Sequence, residues 1–122
     1  MAKKILIVED EKILSDLLEK KLREEGYEVS VAENGEKGLE KMREEKFDLI
    51  LLDIIMPKMG GFEVLEEMQK DENLKEIPVI VISNSGQPVE ISRALELGVK
   101  DYIVKTEFDP NEVVEKVKRQ IG

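Results

Sequence analysis

A chain of 122 residues has the length of one ordinary domain and leaves no room for a second core. Apolar residues at 41% are enough for a packed interior, while charged residues at 39% exceed the roughly 25% of an average globular chain, so the surface is dense in charge. The 19 basic and 28 acidic residues leave a formal charge of −9, which opposes binding to a phosphate backbone; with no cysteine there is no disulfide or thiol chemistry, and with no histidine there is neither the commonest general base nor an intrinsic imidazole phosphocarrier.

The opening "MAKKILIVED" has only four apolar residues, Ile5 to Val8, before Glu9, short of the roughly 7–15 of a signal-peptide core, and no later run approaches the roughly 20 that span a bilayer. The expectation is a cytoplasmic protein without membrane association. Residues 3–9 form a first strand, and Ile13, Leu14, Leu17, Leu18 and Leu22 then mark one face of a helix that ends at Gly26. Residues 27–32 are β-prone, and Asn34 offers the N-cap of a second helix that buries Leu39 and Met42. Residues 47–53, "FDLILLD", make a third strand, followed after the 56–61 loop by a helix with Phe62, Leu65 and Met68 inward. Residues 77–83, "IPVIVIS", are apolar throughout, as in a central strand covered on both faces. A helix with Ile91, Ala94 and Leu95 inward closes at Gly98, and residues 100–105 make the fifth strand. In "DPNE", Asp109 can cap, Pro110 suits the first helical position and Glu112 can complete a capping box for a last helix burying Val113, Val114, Val117 and Ile121.

Strict βα alternation with short links predicts one α/β domain over residues 1–122: a parallel sheet with helices on both faces and right-handed crossovers. Ligands of such sheets lie beyond the carboxyl ends of the strands, where strand order reverses. Those ends carry Glu9 and Asp10, Asp53, Ser83 and Lys105. Three carboxylates about 5 Å apart repel by about 3 kcal/mol per pair at an effective dielectric near 20, and a divalent cation would relieve this. Oxygen-only ligands suit Mg²⁺ or Mn²⁺, which keep waters and accept a phosphate oxygen. Lys105 adds a point charge for a phosphoryl oxygen and Ser83 a hydroxyl, so the set fits phosphoryl transfer to a carboxylate. Asp53, closing a buried strand, is the nucleophile in this reading; Asp10 serves the metal directly and Glu9 directly or through water.

With the acidic pair of "IVED", the "DIIMPKMGG" run, "VIS" and "DYIVK" in this order, the chain resembles a response-regulator receiver domain of bacterial two-component signalling over essentially its full length. The resemblance implies a flavodoxin-like (βα)5 fold with strand order 2-1-3-4-5, a stand-alone regulatory domain rather than an enzyme, and no output domain. It implies Asp53 as phosphoacceptor, Mg²⁺ held by Glu9, Asp10, Asp53 and the backbone carbonyl of Ile55, Lys105 on the phosphoryl group, and Ser83 closing on the phosphoryl oxygens while Tyr102 turns between outward and inward positions. The implied partners are a histidine kinase or histidine phosphotransfer protein and a downstream protein target, with no nucleic acid bound directly and a monomer or a weak phosphorylation-dependent dimer. Three positions depart from the family pattern. Thr106 stands where proline is common, and a cis bond before a non-proline residue costs about 2.5–4 kcal/mol. Gly60 replaces a common aspartate, and Asn84 a small residue.

Plainer roles compete with these. Asp53 alone could cap its loop, the acidic pair could cap the first helix, Lys105 could be a solvated strand-end lysine, and Tyr102 could simply cover the core from an edge strand. Other functions compete as well. A Mg²⁺-dependent phosphohydrolase needs a second acid two residues after the nucleophile, where this chain has Ile55; a pseudo-receiver scaffold would keep the fold without phosphorylation. A flavodoxin-like nucleotide carrier lacks both a phosphate-cradling loop and a tryptophan here.

Overall fold

The computed structural model describes residues 2–107 and 109–122, the side chain of Glu107 apart. Strands β1 (Lys4–Val8), β2 (Glu28–Ala32), β3 (Leu49–Leu52), β4 (Val79–Ser83) and β5 (Asp101–Val104) alternate with helices α1 (Lys12–Glu24), α2 (Gly35–Glu44), α3 (Gly61–Gln69), α4 (Pro88–Glu96) and α5 (Pro110–Ile121), and one 3-10 turn, Lys105–Glu107, precedes α5. All strand pairs are parallel, in the expected flavodoxin-like order β2-β1-β3-β4-β5.

Successive side chains of a strand point to opposite faces, so continuous apolar runs serve two cores at once. Leu6, Val8, Ile50, Leu52, Val79 and Val81 meet Leu39, Met42, Val64, Leu65, Met68 and Ala94 from α2, α3 and α4. The alternate residues Ile5, Ile7, Leu49, Leu51, Ile80 and Ile82 meet Leu18, Leu22, Val113 and Val117 from α1 and α5. Three helices therefore cover one face and two the other.

Helix ends follow local chemistry. The Asn34 side chain accepts the Lys37 N–H and caps α2, and Gly26 and Gly98 take positive φ where α1 and α4 run out. Asp109 caps α5 through the Asn111 N–H, while the Glu112 N–H goes to the Asp109 carbonyl. The N-cap of α1 is Glu11 rather than either member of the acidic pair, and its side chain makes no cap bond.

The inward faces of two helices are narrower than their apolar patterns suggest. In α1, Leu18 and Leu22 are buried, with Ser15 beside them and Leu14 half-buried, but Ile13 is 88% exposed and Leu17 37%. Ile13 and Leu17 form a stripe one residue, about 100° of helix rotation, from the Leu14–Leu18–Leu22 stripe that faces the sheet and α5. In α4 Ala94 alone is buried, and Leu95 faces out at 53% exposure. Phe62 is half-buried, its ring under the Arg93 guanidinium at 4.2 Å, and Ile121 is half-buried at the end of α5.

Candidate functional site

Register carries the acids to one level. Val8 pairs with both Ala32 and Leu52, so β1 and β3 end together; the next residues, Glu9 and Asp53, are fixed by N–H bonds to the Ala32 and Val8 carbonyls at 3.0 and 2.9 Å. Both side chains are buried, Glu9 4% and Asp53 3% exposed, whereas Asp10 is exposed. Glu9, Asp10 and Asp53 each bring one carboxylate oxygen within 4.8 Å of the others. At that spacing a pair of unit charges repels by about 3 kcal/mol at an effective dielectric near 20.

Lys105, one residue beyond β5, reaches across the strand ends with a side chain only 8% exposed. Its ammonium lies 3.0 Å from Glu9 Oε1, 3.2 Å from Asp53 Oδ2 and 3.3 Å from Glu11 Oε1. One cation thus serves two buried carboxylates. Burial is the largest influence on Glu9, and with the Asp53 charge it outweighs the Glu11 N–H and Lys105, so the Glu9 carboxyl is pushed up to about 7. Burial likewise raises Asp53 against the pull of Lys105. For Lys105 burial works downward, but Glu9 and Asp53 together leave it raised and firmly charged. The site carries surplus negative charge, which a bound cation would compensate.

The loop after Asp53 lies close over it. The Ile55 N–H points to Asp53 Oδ1 at 3.4 Å, while the Ile55 side chain is 63% exposed. A Cβ on Gly61 would stand 2.4 Å from the Asp53 carbonyl oxygen, and one on Gly35 2.4 Å from that of Met59, so two glycines let the loop and the start of α2 close in. Gly60 is the N-cap of α3 without a side-chain bond. No cis peptide occurs among the described residues, Lys105–Thr106 included, and Lys105 opens the 3-10 turn.

Ser83 is wholly buried, and its Oγ accepts the Ser85 N–H at 3.2 Å; the Tyr102 hydroxyl donates to the Ser85 carbonyl at 2.7 Å. Tyr102 is half-buried and packs against the α2–α4 core. Two residues absent from the sequence-based set therefore belong to this environment: Glu11, through Lys105, and Ser85, held from both sides. A third acid directly after "ED" was the only cue to Glu11, and nothing near Ser85 in the sequence signals Tyr102.

The family model for the response regulator receiver domain matches residues 5–118. Among solved structures, the response regulator TrrA of Thermotoga maritima in complex with Mg²⁺ and BeF is 37% identical, with 98% of this chain and 99% of that one covered and a TM-score of 0.85. A CheY-like receiver domain protein of Methanospirillum hungatei is 34% identical, with 98% and 93% covered and a TM-score of 0.90. The chemotaxis protein CheY4 of Vibrio cholerae is 26% identical, with 99% and 100% covered and a TM-score of 0.92.

Proposed function

The chain belongs to the response regulator receiver domain family, and from that membership we propose that it is a phospho-accepting switch with Asp53 as the acceptor. The observation that carries this reading is the Lys105 ammonium lying 3.2 Å from a buried Asp53 carboxylate within a cluster of acids at the strand ends. An Asp53 oxygen attacks phosphorus, the P–N bond of a phosphohistidine or the P–O bond of an acyl phosphate breaks, and the leaving nitrogen or oxygen keeps the bonding pair. Mg²⁺ or Mn²⁺, held by Glu9, Asp10, Asp53 and the Ile55 carbonyl oxygen, would neutralise charge on the phosphoryl oxygens. Lys105 supplies fixed positive charge on another side. Ser83 Oγ, accepting from Ser85, still has its own O–H to donate to a phosphoryl oxygen.

The acyl phosphate adds a charge of about −1.5 to −2 beside these groups and favours the state in which Ser83 and Lys105 close on it. Because the Ser85 peptide links Ser83 to Tyr102, that closure bears on the position of Tyr102 and on the face made by α4, β5 and α5. The donor in this proposal is a histidine kinase or phosphotransfer protein, and output is docking of a downstream protein or weak self-association through that face. An apolar Ile55 at the mouth offers no acid to protonate a leaving group, which argues against a turnover phosphohydrolase. Incubated with Mg²⁺ and acetyl phosphate, the protein is expected to gain the mass of one phosphoryl group, and Asp53→Asn none. An unchanged mass, or equal labelling of the variant, overturns the proposal.

A further inference from the structure

An ammonium has three N–H groups, and Lys105 has three acidic neighbours, Glu9, Asp53 and Glu11, one for each. Two of the neighbours are buried, and only Glu11, its side chain 53% exposed, can leave without stranding a charge in the interior. Glu11 is held for the task from its backbone. Its N–H bonds Glu9 Oε2 at 3.0 Å, its carbonyl accepts the Ser15 N–H at 3.0 Å, and its φ and ψ are those of an N-cap. Yet its side chain turns away from the helix end, where a negative charge is ordinarily favoured, and reaches Lys105 instead.

Resting on the phosphoacceptor reading above, we propose that Glu11 is a positioning residue that occupies the third N–H of Lys105 and yields it to the phosphoryl group. An incoming phosphoryl oxygen takes the place of the Glu11 carboxylate on Nζ, while Glu9 and Asp53 keep the ammonium anchored. No covalent bond to Glu11 forms or breaks, and no proton is transferred; only its hydrogen bond to Lys105 is exchanged. Its effect is to hold Lys105 in the resting site and to make transfer to Asp53 depend on displacing one carboxylate.

Two substitutions separate this role from a general charge effect. Glu11→Ala removes the carboxylate without removing a cap bond, since there is none. Glu11→Asp keeps the charge but shortens the side chain by one methylene and favours true capping of α1. With acetyl phosphate at saturating Mg²⁺, both variants are expected to be phosphorylated about two- to fivefold faster than wild type, the scale of one partly exposed ion pair. In a Lys105→Met background the Glu11 substitutions should have no further effect. In the metal-free protein, a ¹H–¹⁵N spectrum of lysine ammonium groups should show a protected Lys105 signal that shifts and exchanges faster with solvent in both variants. Wild-type rates in both variants, acceleration in Glu11→Ala only, or a Lys105 signal unchanged in both would each overturn the assignment. A wild-type protein that takes no phosphoryl group overturns the phosphoacceptor reading instead, and the ammonium spectrum then decides whether Glu11 holds Lys105.

Discussion

Glu9 keeps its proton to a higher pH than an exposed glutamate, because burial and the neighbouring Asp53 charge outweigh the pull of the Lys105 ammonium that the two share. In the unfolded chain the same group titrates near its ordinary value of 4.5, and in the fold near 7. Between those values the folded state binds more protons than the unfolded, so stability of the metal-free protein should fall as pH rises through the window, by up to about 3 kcal/mol. Below it both states are protonated and the effect is fully relieved. Urea denaturation in chelator from pH 5 to 8 should show this decline, and Glu9→Gln should flatten it; a rise in stability across the same range would contradict the electrostatic account. At this scale the sequence was informative where polarity broke an apolar run, as at Asp53 after "LILL" and Glu9 after "LIV". It gave little on Glu11 and nothing on Ser85, because their contacts are with Lys105 and Tyr102, side chains that arrive from β5 and the residue after it through tertiary structure.

Among the helices, α1 shows how far periodicity can be trusted. An apolar count assigns Ile13 and Leu17 to the buried face along with Leu18 and Leu22, but a helix lying on a sheet beside a single neighbour, α5, hides only the Leu14–Leu18–Leu22 stripe. Leu18→Ala should therefore cost about 2–5 kcal/mol in denaturant titration, whereas Ile13→Ser should change stability by less than about 0.5 kcal/mol. Comparable losses from both would mean that α1 packs by its other stripe. The same reasoning explains Leu95 in α4, whose small contact with the sheet is filled by Ala94. Strand existence and parallel pairing were legible, since uninterrupted apolar runs need helices on both faces and βα alternation fixes the handedness; the strand order was an implication of the family resemblance. Strand limits were not: the run 47–53 pairs only over Leu49–Leu52, because each ladder stops where its neighbour does.

For the molecule as a whole, the paired ends of β1 and β3 have a mechanical meaning. The Asp53 amide is tied to Val8 on the last rung of β1 and β3, where both strands are buried, so it can open only when both hydrophobic layers come apart. Its hydrogen exchange should accordingly track global unfolding. Ser85, by contrast, is stitched by two hydroxyl bonds beside a helix with one buried residue, and should exchange by local opening that is far less costly. Equal protection at the two amides would refute this division. On the proposed switch reading the chain would join an anvil to a more pliable rim: a blow delivered at the carboxylate would not dent the strand beneath it, and would be passed sideways to the Ser85 border.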